Sequence, residues 1–167
     1  MTKSPAPLLI DELPLSQKDI DILQKIAGNA GKKAHQLCLF SGPSGTGKTL
    51  VASVLANQLE RPLQRVKLPA LVGKSAEETE KNLVALLEKA QAAEAVLFFD
   101  EADALFGKRS EVKDSHDRFA NQEVSHLLDA LIAYNGLVIL SSNLKAAADS
   151  PVSACKAHAL TFEKQDH

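Results

Sequence analysis

The chain has 167 residues, 45% hydrophobic and 24% charged, with a formal net charge of −2. That length suits one domain whose core needs no disulfide or metal staple. Interspersed acids and bases give no electrostatic footprint for a nucleic acid or an anionic membrane, and no apolar run is long enough to span a bilayer.

Residues 1–15, with Pro5, Pro7 and Pro14, read as an irregular lead-in. They lack the continuous apolar stretch of a signal peptide. The two cysteines, Cys38 and Cys155, stand far apart in unrelated contexts. Two thiols in a reducing cytoplasm are the expectation. Ser16 with Asp19 suggests a capping box, and Ile20, Leu23, Ile26 and Ala27 then share a helical face until Gly28-Asn29 stops it. Lys32 and Lys33 read as a solvated turn. Gln36 to Phe40 is a strand, and a glycine-rich loop follows. Leu50, Val51, Val54, Leu55 and Leu59 mark the next helix, closed by Pro62. Leu63 to Leu68 is a weaker strand. Ser75 or Ala76 to Ala93 is a strong helix, with Leu83, Leu86, Leu87 and Ala90 at helical spacing. Ala95 to Phe99 is fully apolar, as a strand buried on both faces would be. The polar segment 107–117 reads as a loop, and Arg118 to Tyr134 as a helix carrying Val124, Leu127, Leu128 and Leu131. After Asn135-Gly136 come a buried strand, Leu137 to Leu140, and a last short one, His158 to Phe162. Strands alternating with helices imply a parallel sheet covered on both faces.

Gly42, Gly47, Lys48 and Thr49 satisfy the pattern GxxxxGK[ST] between a strand and a helix. Gly42, Pro43, Ser44, Gly45, Thr46 and Gly47 form the loop, Lys48, Thr49 and Leu50 open the helix, and all nine are the expected nucleotide-binding residues. Glycines let successive backbone N–H groups turn toward a phosphate, and the helix N-terminus adds partial positive charge. Lys48 would reach the β- and γ-phosphates, and the Thr49 hydroxyl would bind Mg²⁺. Asp100 and Glu101 stand at the carboxyl end of the AVLFF strand, where open α/β sheets bind ligands. There Asp100 can hold the metal and Glu101 can take a proton from water. Asp103 reads as a cap or surface charge. Asn143, past the next buried strand, can orient water or contact the γ-phosphate. His116 has no second ligand at metal spacing. Lys108, Arg109 and Arg118 read as a solvated face, and His35, His126, His158 and His167 as ordinary histidines.

Taken in order, LFSGPSGTGKT, EETEKNL, VLFFDEADALFGKR, EVKDSHDRFAN and GLVILSSNL resemble the AAA+ ATPase family, in its classical bacterial form. The resemblance spans about Leu13 to Phe162. It implies a three-layer P-loop NTPase fold, a five-stranded parallel sheet in the order 5-1-4-3-2 with helices on both faces. It implies Walker A at residues 42–49, Walker B at 96–101 with Asp100 and Glu101, and sensor 1 at Asn143. It also implies ATP or ADP and Mg²⁺ as cofactors, ring-shaped assemblies, and protein clients or partner AAA subunits. Residues 16–167 would be the α/β core domain.

The sequence departs from that family in three places. Arginines expected after sensor 1 would fall near Ala154 and Cys155, yet Arg61, Arg65, Arg109 and Arg118 all lie upstream, and Lys156 is the nearby cation. A lysine does not reproduce the arginine fork. In GKSAEETE, Ser75 stands where the family's threading loop has an aromatic, and Glu77 where it has glycine. The helical lid would begin about where the chain ends, at His167, which would leave one wall of the site open. The expectation is a Mg-dependent, cytoplasmic ATPase of low turnover alone, forming at most weak homo-oligomers. The alternative is a nucleotide-gated interaction module that binds ATP and hydrolyses little. A P-loop kinase is disfavoured, because Glu101 with Asn143 suits water as the acceptor.

Overall fold

A computed structural model describes residues 9–29, 35–106, 126–145, 150–155 and 157–163. Five strands form one sheet: β1 (Gln36–Ser41), β2 (Leu63–Lys67), β3 (Val96–Asp100), β4 (Leu137–Ser142) and β5 (His158–Thr161). Their order is β2-β3-β4-β1-β5, and every neighbouring pair is parallel. This is the expected order 5-1-4-3-2 counted from the other edge. β1, β3 and β4 lie inside the sheet, and their apolar runs are buried almost throughout. A strand covered on both faces has no polar side to show.

Helices α1 (Gln17–Asn29) and α2 (Lys48–Gln58) cover one face. Leu23, Ile26, Val51 and Leu55 meet Phe40, Phe98 and Ile139 there. The other face carries α3 (Ala76–Ala93), α4 (Asp103–Phe106) and helical backbone at 126–132. Leu83, Leu105 and Leu131 pack on Leu97, Phe99, Val138 and Leu140. Each fully buried side chain of this size contributes about 1.5–3 kcal/mol, so the two layers anchor the strand ends that carry polar groups. Three layers result, as the alternating pattern implied.

Several local features differ from the sequence reading. β3 and β4 run on to Asp100 and Ser142, so polar residues complete both strands. Leu50, expected in the apolar stripe of α2, is 48% exposed. Ile10 and Leu13, in the proline-bearing lead-in, are buried beside α1 and α2, around a short 3-10 turn at Ile10–Glu12. Ser75 serves the backbone, since its Oγ caps α3 by accepting the Glu78 N–H at 3.2 Å. Both cysteines are free thiols, and burial, then the Asp19 charge, pushes the Cys38 thiol strongly up. Among the described residues no helix is long and apolar enough to cross a membrane. The expectations for Lys32, Lys33, Lys108, Arg109, His116, Arg118, Lys156 and His167 fall outside the described residues.

Candidate active site

The loop from Gly42 to Gly47 leaves the carboxyl end of β1 and turns into α2. Gly42 has φ +149°, and a Cβ there would stand 2.2 Å from the carbonyl oxygen of Phe162. Only glycine fits this close approach. The Gly42 N–H donates to Ser142 O at 3.1 Å, and the Phe162 N–H to Ser41 O at 2.7 Å. The loop's base is thereby stitched to β4 and β5 together. Gly47, at φ +92°, is the residue before α2, and the Thr46 hydroxyl closes the loop by donating to Pro43 O at 2.7 Å. Pro43, Ser44 and Gly45 are exposed.

Lys48 is only 8% exposed. Its ammonium donates to Gly42 O, to Ser142 O at 3.1 Å and to Asn143 Oδ1 at 3.0 Å. Three acceptors match its three donors, which is what a buried ammonium requires. Burial lowers the lysine's pKa from its ordinary value, and the charges of Asp100 and Asp103 partly restore it. Thr49, half-buried, is the second residue of α2.

The half-buried Asp100 ends β3, and its Oδ1 accepts the Glu101 N–H at 2.9 Å. Glu101 is exposed and has φ +56°. A non-glycine residue held in that region carries strain of about 1–3 kcal/mol, and such strain gathers at functional sites. Its carboxylate lies 4.0 Å from the Lys67 ammonium, with both side chains more than half exposed. Such a pair is screened and worth little.

Asn143 is exposed, just past β4. Ser142 secures the turn that carries it: its Oγ accepts the Leu144 N–H at 3.0 Å and donates to Asp103 Oδ1. Asp103, read from sequence as a cap or surface charge, is thus tied to the strand end that positions Asn143. The preceding Ser141 is wholly buried, and its hydroxyl has no hydrogen-bond partner among the described residues.

An open cleft of about 970 Å³ lies over the loop and the start of α2. Leu13, Pro14, Ser16 and Asp19 form one wall, Gly45, Thr46, Gly47 and Leu50 the floor, and Thr161 and Phe162 another wall. Its size is at the upper end for small-molecule sites, which run about 300–1,000 Å³. The sequence reading missed the Leu13–Asp19 wall. The signal available was the apolar content of LLIDELPL, which a plain linker would lack. The residues fit a hard divalent cation: a carboxylate (Asp100) and a hydroxyl (Thr49) are oxygen donors of the kind Mg²⁺ takes alongside phosphate oxygens. Among the described residues no group of three His, Cys, Asp or Glu forms an all-protein cage.

A family model described as "ATPase family associated with various cellular activities (AAA)" matches residues 38–162. The chain belongs to the AAA family. Curated relatives agree. An uncharacterized AAA family ATPase, y4kL, of Sinorhizobium fredii is 34% identical over 73% of this chain and 37% of its own length. The cell division cycle protein 48 homolog of Archaeoglobus fulgidus is 38% identical over 62% of this chain and 14% of its own. The peroxisomal ATPase PEX6 of Arabidopsis thaliana is 35% identical over 70% of this chain and 12% of its own. This AAA chain therefore spans between 12% and 37% of the length of these relatives. Gly42 to Leu50, Asp100, Glu101 and Asn143 all fall inside the AAA-matched segment, whereas the Leu13–Asp19 wall precedes it.

Proposed function

We propose that this AAA domain binds Mg-ATP and hydrolyses it to ADP and phosphate. The observation that carries the reading is the place of Lys48. Its ammonium sits where the loop, the start of α2 and the end of β4 converge. An incoming γ-phosphate offers it anionic acceptors in exchange for Gly42 O and Asn143 Oδ1. The base and ribose fit the cleft between Leu13–Asp19 and Phe162, and the phosphates fit the loop 42–47 at the positive end of α2. Thr49 and Asp100 would hold Mg²⁺, which when bound neutralises charge on the phosphate oxygens. Glu101 accepts a proton as water adds to the γ-phosphorus and the bond to the β–γ bridging oxygen breaks. Asn143, freed from Lys48, orients that water. The relatives named as ATPases support the same reaction. A cytoplasmic location is part of this proposal, and free thiols at Cys38 and Cys155 are compatible with its reducing environment.

A second reading has its own support. The 3-10 helix Pro151–Ala154, where the family's arginines were expected, contains none, and Ser75 caps a helix where a threading aromatic was expected. A nucleotide-gated interaction module, completed by partner AAA subunits, would need neither. Phosphate release measured across a wide range of protein concentration, beside a Lys48→Ala control, separates the two. Release that rises with concentration and vanishes in the control supports hydrolysis between copies. ATP bound by the parent without release supports the module, and no binding at all overturns both.

A further inference from the structure

We propose that Ser141 is a positioning residue for the metal-facing carboxylate of Asp100, an inference that rests on the Mg-ATP reading above. Three observations meet at this residue. First, the Ser141 side chain is 0% exposed and its hydroxyl has no hydrogen-bond partner among the described residues. A buried hydroxyl left unpaired is costly, whereas an alanine in its place would avoid that cost. Second, the sheet register sets it beside Asp100. Phe99 pairs with Leu140, so the next residue of each strand, Asp100 and Ser141, lie side by side. Third, both side chains point to one face. Phe98 and Ile139 pack under α1 and α2, and alternation returns Asp100 and Ser141 to that same face. The face is roofed by α2, through Val51 and Ala52, in the same first turns that carry Lys48 and Thr49.

Ser141 is therefore a buried donor next to Asp100 whose proton finds no acceptor among the described residues. Asp100 Oδ1 is taken by the Glu101 N–H. When the carboxylate turns to a cation shared with Thr49, the Ser141 hydroxyl donates to it, fixing its orientation and supplying the missing bond. Outer-shell donors of this kind usually change metal affinity by about 10-fold to 100-fold when removed.

The test is calorimetric ATP binding at increasing Mg²⁺, and again in EDTA, for the parent, Ser141→Ala and Ser141→Thr. Ser141→Ala is expected to need about 10-fold more Mg²⁺ for the same ATP affinity, to match the parent in EDTA, and to unfold in urea at no lower midpoint. Ser141→Thr keeps the hydroxyl and retains the parent's Mg²⁺ dependence. Equal Mg²⁺ dependence in parent and alanine variant overturns the proposal. So does equal weakening in both variants, which would assign the effect to side-chain volume. So does a large loss of stability in Ser141→Ala, which would make the hydroxyl structural. Absence of Mg²⁺-dependent binding in the parent is a different failure, since it sinks the Mg-ATP reading as well.

Discussion

Asp103 Oδ1 accepts the hydroxyl proton of Ser142, joining two residues 39 apart in the chain. The same Oγ accepts the Leu144 N–H, and the Ser142 carbonyl accepts from Lys48. The start of α4, the end of β4 and the loop lysine are therefore one bonded unit, with Asn143 mounted on it.

Ser142→Ala tests that unit. It frees the Asp103 carboxylate and leaves the Leu144 N–H without its acceptor. The expected cost in stability is about 1–3 kcal/mol, because an amide loses its partner. Phosphate release is expected to fall by roughly 10-fold to 100-fold, since small displacements of a positioned group are that expensive. ATP affinity should hold, because the Ser142 carbonyl that accepts from Lys48 remains. Urea unfolding and single-turnover release measure the two effects; unchanged release would detach Asn143 from this network.

Gly42→Ala puts a methyl 2.2 Å from the Phe162 carbonyl at φ +149°. β5 is an edge strand paired with β1, so it must give way. The expected destabilisation is about 1–3 kcal/mol from the strained backbone alone, with weaker ATP binding because Phe162 also walls the cleft. Chemical denaturation and calorimetry check both parts. A fully stable variant would mean that the strand end is looser than its hydrogen bonds imply.

Much of the fold and the loop was legible in the sequence, for physical reasons. AVLFF and LVIL are apolar without alternation, which only a strand buried on both faces tolerates. The loop 42–49 was legible because its chemistry is local: glycines, lysine and threonine within eight positions. Strand order was not legible from periodicity, since crossovers leave no local mark; the family resemblance supplied it. The Asp103–Ser142 bond and the Leu13–Asp19 wall were missed because each forms between segments remote in sequence. A short polar side chain gives no sign of its partner until the fold brings them together. Only the assignment of Leu50 to the core-facing stripe was misread, for a related reason. Its helical spacing fits the apolar stripe, but the first turn of α2 opens onto the cleft rather than onto the sheet.

Tyr134→Phe addresses the far end of the sheet. The phenol donates to Ala95 O at 2.6 Å in a buried setting, linking the residues after the 126–132 helix to the start of β3. Burial raises this phenol's pKa, so it stays a donor at neutral pH. Loss of the bond is expected to cost about 1 kcal/mol, leaving ATP affinity unchanged because the cleft lies at the opposite strand ends. Urea midpoints and calorimetry decide it, and an altered affinity would indicate coupling through β3 to Asp100.

His158 makes stability depend on pH. Burial in β5, then the Lys25 charge, lowers its pKa below the ordinary value of 6.5. The unfolded chain therefore binds this proton more readily than the folded one. By linkage, stability rises with pH wherever the unfolded state holds more protons. The penalty is absent well above 6.5, grows as pH falls through 6.5, and is complete once pH drops below the folded-state pKa. His158→Gln removes the titration while keeping a polar side chain of similar reach. Between about pH 7.5 and pH 5 its unfolding free energy should decline less steeply than the parent's, while the carboxylates shared by both proteins contribute equally to each curve. Parallel curves would show that His158 is protonated as easily in the folded state as in the unfolded one, and that neither burial nor Lys25 acts on it.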